Sequence, residues 1–203
     1  MPQKLLIATK NLGKVREYRE LLADLPFQVV SLAEVGIDAD VEETGATFAE
    51  NALLKARTYA QLSGLLTWAD DSGLAVDALH GWPGVHSARH AGPNATDADR
   101  ISILLQRLAD VPPQERGAAF HCVVAIATPD GRAWTTEGMC PGVIIDEPTG
   151  SGGFGYDPIF FVPNLGKTFA QLSAAEKNAI SHRGIAARKA AQLLSHLIAD
   201  GEL

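Results

Sequence analysis

Three clusters of residues combine side chains and spacing suited to chemistry. Thr9-Lys10-Asn11-Leu12-Gly13-Lys14 sets two lysines among amide and hydroxyl groups. If a helix starts there, unpaired backbone N–H groups and the helix dipole favour an anion, phosphate above all. The spacing is not that of a P-loop, so a tight turn with solvated lysines fits the same letters. The second cluster is acidic: Asp38, Asp40, Glu42 and Glu43, then Ala69-Asp70-Asp71-Ser72-Gly73. Carboxylates without His or Cys at ligand spacing suit a hard, oxygen-preferring ion, and Mg²⁺ binds one or two carboxylates together with substrate phosphates. A turn capped by its own side chains is the other reading of A-D-D-S-G. The third cluster runs from Ser151 to Phe160, SGGFGYDPIF. Glycines 152, 153 and 155 let a ligand approach the backbone, and Phe154 and Tyr156 offer planar faces. A glycine-rich turn leading into the strand Ile159 to Val162 accounts for it equally.

Two smaller sets add charge. Asn51 and Lys55, four apart, share a face if their segment is helical. Lys177, His182 and Arg183 lie close together at the junction of two expected helices and supply two fixed cations and a titratable ring. His80, His86, His90, His121 and His196 have no ligand-like spacing, and no role is expected of them. Cys122 and Cys140 show neither a metal-ligand pattern nor a disulfide framework and read as buried free thiols.

The elements that must position these groups follow from periodicity. Lys4 to Thr9 reads as a buried strand and Lys14 to Leu25 as a helix with apolar positions at Val15, Tyr18, Leu21, Leu22 and Leu25. Thr47 and Glu50 form a capping-box pattern, so a helix is expected from there to Ser63, ending at Gly64. Leu65 to Ala69 reads as a strand, Asp70 to Gly73 as a turn, and Leu74 to Leu79 as a further short extended piece. A helix is expected over Thr96 to Ala109, and a hairpin from Ala118 to Ala127 and Ala133 to Ile145 around Pro129-Asp130-Gly131. Ser173 and Glu176 repeat the capping-box pattern, and Gly184 is expected to separate that helix from a last one, Ile185 to Ala199. Together these elements permit a mixed α/β sheet flanked by helices.

Composition narrows the function classes. The 203-residue chain is 46% hydrophobic and 20% charged, ordinary for one globular domain or one domain with two lobes. Its formal net charge of −7 disfavours nonspecific attraction to nucleic acid or an anionic membrane. The apolar run Leu5 to Ala8 is too short for a signal peptide core or a membrane span, so a cytoplasmic location is expected.

Read in order, T-x-N-x-x-K (Thr9 to Lys14), E-E-T-G (Glu42 to Gly45), F-x-E-N-A-x-x-K-A (Phe48 to Ala56), A-D-D-S-G (Ala69 to Gly73), P-G-V-x-S-A-R (Pro83 to Arg89), G-G-F-G-Y-D-P-I-F (Gly152 to Phe160) and S-H-R-G (Ser181 to Gly184) span nearly the whole chain. This series resembles the inosine/xanthosine triphosphate pyrophosphatase family. The resemblance implies an elongated mixed β-sheet flanked by helices, with two lobes and a central cleft, built as a single domain over residues 1–203. It also implies a cytoplasmic homodimer that hydrolyses ITP, dITP and XTP to the monophosphate and pyrophosphate with Mg²⁺, clearing these bases before they enter DNA or RNA. Carried over by position, Thr9, Lys10, Asn11, Leu12, Gly13, Lys14 and Lys55 would cradle the triphosphate. Glu42 and Asp71 would hold the metal, with Glu43 the alternative to Glu42, and Asp71 would take a proton from the attacking water. Ser72 would touch substrate, Phe154, Gly155, Tyr156 and Asp157 would form the base pocket, and Lys177, His182 and Arg183 would close over the nucleotide.

Such chemistry needs little covalent help: positioning, metal charge and cationic clamps supply most of the catalysis. Hypoxanthine and xanthine carry a 6-oxo acceptor that a donor such as Arg183 would satisfy, whereas the amino group of adenine would leave that donor unpaired.

Overall fold

The structure, a computed structural model, describes residues 2–203. Its seven strands, among the described residues, are β1 (Gln3–Ile7), β2 (Phe27–Ser31), β3 (Leu66–Val76), β4 (Gly117–Ala127), β5 (Ala133–Ile144), β6 (Phe160–Val162) and β7 (Lys167–Thr168). They form one sheet in the order β2-β1-β3-β4-β5-β6-β7. The pairs β1·β2 and β1·β3 are parallel, and β5·β6 and β6·β7 antiparallel, so the sheet is mixed as expected. The five helices are α1 (Leu12–Leu21), α2 (Phe48–Ser63), α3 (Asp97–Arg107), α4 (Ala174–Ile180) and α5 (His182–Ala199). None is long and apolar enough to cross a membrane.

The chain divides into two compact units. The first comprises the chain through Asp71, Cys122–Gly138 and Arg183–Leu203; the second comprises Ser72–His121 and Met139–His182.

In the first unit β1 is apolar on both faces, as an interior parallel strand must be. The period of two along a strand sends its residues to two separate cores. Leu5 and Ile7 join Tyr18 and Leu22 at α1 and Ala186, Ala190 and Leu194 of α5. Leu6 and Ala8 join Ala52, Ala56 and Ala60 of α2. The capping box at Thr47 and Glu50 is formed, and α2 stops at Gly64, whose φ of 66° is readily reached only without a Cβ. In the second unit Leu74, Val76, Ile101, Leu104, Phe120, Tyr156, Phe160 and Phe169 form one core. The rings of Phe120, Phe160 and Phe169 lie 4.6 to 5.7 Å apart there.

Three expectations about elements are corrected. Asp70 to Gly73 is not a turn: β3 runs unbroken from Leu66 to Val76, because opposite charges and amide donors compensate each carboxylate and tertiary context overrides turn propensity. Gly184 lies within the first turn of α5 and does not separate the last two helices. The break falls at Ser181, whose extended backbone (φ −68°, ψ 154°) is the conformation serine favours at a helix start. β2 was not among the expected strands; only Val30 is fully buried in F-Q-V-V-S, so the apolar signal is thin.

Candidate active site

Two adjacent aspartates on one strand point to opposite faces, and the first unit is built around that alternation. Asp71 faces α2: its Oδ2 accepts from Asn51 Nδ2 at 3.0 Å, and its Oδ1 lies 3.5 Å from Lys55 Nζ. Lys55 also pairs with Glu43, so one ammonium joins two carboxylates. The capping box fixes where α2 begins, and the four-residue spacing then places Asn51 and Lys55 on the side that meets Asp71. Asn51 Oδ1 accepts from Gly45 N at 2.7 Å, which ties the acidic segment to the same helix. A Cβ on Gly45 would stand 2.7 Å from that oxygen, so glycine is required there.

Burial raises the Asp71 pKa above its ordinary value of 3.8; Lys55 opposes this, and Glu43 adds to it. For Lys55 burial works against the charge, but Asp71, Asp70 and Glu43 prevail and its pKa is raised. Glu42 is exposed, whereas Glu43 is half-buried.

Asp70 faces the other way. Its Oδ2 lies 2.8 Å from Lys14 Nζ and 3.9 Å from Arg183 Nε, while Cys122 and Tyr18 pack around it. Arg183 donates to Glu17 Oε2 at 2.6 Å. Burial would raise the Asp70 pKa, but Lys14 and Arg183 outweigh it and hold the carboxyl down at about 2. Cys122, beside this charge and fully buried, has its thiol pushed up to about 12 and is inert, as expected of a buried free thiol.

The β1–α1 turn is capped by Asn11, whose Oδ1 accepts from Gly13 N at 2.9 Å and Lys14 N at 3.2 Å. Thr9 Oγ1 accepts from Asn11 N at 3.2 Å. Lys10 reaches the acidic segment, donating to the Asp38 carbonyl at 2.9 Å and lying 3.7 Å from Asp40. Leu12 projects from the turn, 82% exposed.

The second unit holds the glycine-rich loop, residues 152–157. Gly153 has φ 72°, and a Cβ there would lie 1.9 Å from Asp157 Oδ2, so no other residue fits. Asp157 accepts from Phe154 N at 2.9 Å and pairs with Lys177 Nζ at 2.6 Å. The same ammonium stands 4.8 Å from the centre of the Phe154 ring, a cation–π distance. Gly155 N donates to Asp97 Oδ2 at 2.7 Å. A concavity of about 810 Å³ opens beside the loop, lined by Phe154, Gly155 and Ser151 together with Ile101 and Leu105 of α3. Tyr156 is buried, with its hydroxyl turned to Ser87 and His90. The His182 ring stacks on Phe120, with centroids 4.6 Å apart and planes 10° apart. Ser72 follows Asp71 on β3 and is half-buried.

The first unit thus gathers Lys55 and Glu43 at Asp71 on one face of β3 and Lys14 and Arg183 at Asp70 on the other, and the second brings together Phe154, Gly155, Asp157 and Lys177. Sequence reasoning left Asp70, Glu17 and Asp97 without roles. For Asp70 the sequence held no usable signal: A-D-D-S-G reads as a turn, and only within a strand does the neighbour of an inward carboxylate face the opposite layer.

Known proteins resemble this chain over most of its length. A model described as the Ham1 family matches residues 5–193. A dITP/XTP pyrophosphatase of Desulforamulus reducens is 52% identical over 200 residues, covering 98% of this chain and all of the relative. One of Shigella flexneri is 54% identical over 184 residues, 90% of this chain and 93% of its own length. The solved structure of a HAM1 protein from Coxiella burnetii superposes with a TM-score of 0.87 at 44% identity, covering 96% of this chain and 99% of that one.

Proposed function

The chain belongs to the Ham1 family, and from that premise we propose that it hydrolyses the non-standard purine nucleoside triphosphates ITP, dITP and XTP to the monophosphate and pyrophosphate, keeping these bases out of nucleic acid. The observation that carries the reading is the Asn51–Asp71–Lys55–Glu43 cluster, a carboxylate fixed in place and desolvated beside a cation.

The donor set fits Mg²⁺. Asp71 and Glu43 offer carboxylate oxygens and no His or Cys, the donors of an ion held by one or two carboxylates and completed by substrate phosphates and water. Glu43 is preferred to Glu42 as the second ligand because it shares Lys55 with Asp71. Asp71 and Glu43 would hold Mg²⁺, which would supply positive charge against the phosphate oxygens and lower the pKa of water.

Asp71, with its raised pKa and rigid hydrogen bond from Asn51, accepts the proton of the attacking water. Lys55 and Lys14 meet phosphate oxygens, and the Thr9–Lys14 turn offers its N–H groups as Asn11 gives them up. Ser72 contacts the substrate. The loop from Phe154 to Asp157 receives the purine against the Phe154 face, and Lys177, His182 and Arg183 complete base recognition. We read residues 1–203 as one two-lobed domain, cytoplasmic and homodimeric, without affinity for nucleic acid or membranes, in keeping with the net charge of −7.

Incubation with ITP, XTP, GTP and ATP in the presence of Mg²⁺, assaying pyrophosphate and orthophosphate separately, tests the proposal. Pyrophosphate from ITP and XTP is expected. Orthophosphate as the first product, or equal rates with ATP, would overturn it.

A further inference from the structure

His90 carries no role expected from sequence, yet it stands directly behind the glycine-rich loop. The Tyr156 hydroxyl donates to the Ser87 carbonyl at 2.9 Å and lies 2.6 Å from His90 Nε2. A phenol has one proton, and a carbonyl only accepts; the phenol oxygen therefore accepts from Nε2–H. This assigns His90 the neutral Nε2–H tautomer, and its Nδ1 is buried without a hydrogen-bond partner. The ring is fixed on its other side: Trp82 meets it edge-on at 4.7 Å, and the Arg107 guanidinium lies 4.0 Å from the centre of the Trp82 ring. Tyr156 is next in sequence to Gly155, whose N–H is held by Asp97, and Asp97 is in turn bridged to Arg100 at 2.8 Å.

We propose that His90 is a positioning residue for purine recognition: by donating to the Tyr156 hydroxyl it holds the 152–157 loop in the geometry that presents Phe154 and Gly155 to the base. The inference rests on the reading of that loop as the base pocket. His90 itself does not touch the substrate. The charged groups facing it are the guanidinium groups of Arg100 and Arg107, with the titratable His86 beside them and Asp97 engaged by Arg100. Protonation would place a second N–H on Nδ1, in a buried position beside those cations. Burial first, and those cations after it, accordingly hold the imidazole pKa below its ordinary 6.5. Nε2–H is a donor in both protonation states, so the latch holds as pH falls through 6.5.

The test compares His90→Ala with His90→Gln, whose amide nitrogen replaces Nε2–H. His90→Ala is expected to raise KM for ITP, and the calorimetric Kd with it, about tenfold while kcat stays within about twofold, the loss of roughly one buried hydrogen bond. His90→Gln should recover affinity to within about threefold of the parent. Tyr156→Phe, which keeps the ring and removes the hydroxyl, should match His90→Ala, and the double variant should be no worse than either single one. Hydrogen exchange at the 153–157 amides should quicken in His90→Ala, and ¹⁵N NMR should show the Nε2–H tautomer. Faster exchange with unchanged Kd, a fall confined to kcat, or an Nδ1–H tautomer would overturn the proposal. Calorimetry needs no turnover, so a parent that binds ITP without cleaving it would sink the hydrolase reading and leave the latch to be decided by Kd.

Discussion

The two units order their functional groups by different physics. In the first, charges hold charges: Lys14 against Asp70, Lys55 against Asp71 and Glu43, Arg183 against Glu17, all but Glu43 mounted on β3, α1, α2 and α5. In the second, a loop of irregular backbone is held by its own N–H groups, with Phe154 on Asp157 and Gly155 on Asp97, by the buried phenol of Tyr156 and by a single buried ion pair, Asp157 with Lys177. Buried charges on regular elements are rigid and strongly coupled, which suits the phosphate end of the proposed site, where small displacements cost rate. A hydrogen-bonded loop adapts at less cost and suits discrimination among purines. Changes in the first unit should therefore appear mainly in turnover, phosphate affinity and folding stability, and changes in the second in base affinity.

The largest effect expected is from Asp71→Asn, which keeps the shape and removes the proposed proton acceptor; kcat should fall about 10³-fold or more. Activity within tenfold of the parent would remove Asp71 from that role and break the contrast at its centre. Next, Lys55→Ala and Lys14→Ala should each raise KM for the triphosphate by roughly tenfold to a hundredfold, as expected on losing a charge-assisted contact. An unchanged KM would count against the cradle.

Arg183 sharpens the comparison because sequence reasoning assigned it to the base while the fold packs it, 2% exposed, against Glu17 and near Asp70. Arg183→Ala is expected to narrow the ITP-to-ATP preference and also to destabilise the fold by about 3 kcal/mol, since truncation strands buried carboxylates. Denaturant unfolding separates the two effects; lost stability with an unaltered substrate ratio would assign base reading wholly to the second unit. The smallest effect concerns pH. A carboxyl held at about 2 against an ordinary 3.8 contributes stability that is complete above 3.8 and lost as pH falls through 2. Asp70→Asn should be less stable than the parent at neutral pH, and the gap should shrink between pH 4 and 2 by roughly 2 kcal/mol. A constant gap would mean that Lys14 and Arg183 do not set that carboxyl.

Much of the site was legible because its signals are local. Thr47 with Glu50 fixes the start of α2, and the spacing of Asn51 and Lys55 then puts both on one helix face. Gly153 and Gly155 announce positive φ before any contact is known. What was misread depended on partners distant in sequence. Asp70 to Gly73 has the composition of a turn and became strand because Lys14, Asn51 and Lys55 compensate its carboxylates from two different helices. His90 had no ligand spacing because its partner, Tyr156, lies 66 residues away.

Sequence alone determined the mixed α/β class, the capped helices and the residue types proposed to meet phosphate, metal and purine, since propensity, capping and period act over a few residues. Only the tertiary structure decided that Asp70 and Asp71 serve opposite faces, that Glu43 rather than Glu42 shares the ammonium of Lys55, and that Arg183 lies against Glu17. Those outcomes turn on which buried charges find one another across the layers, an energy that depends on distance in space and leaves no mark on spacing along the chain.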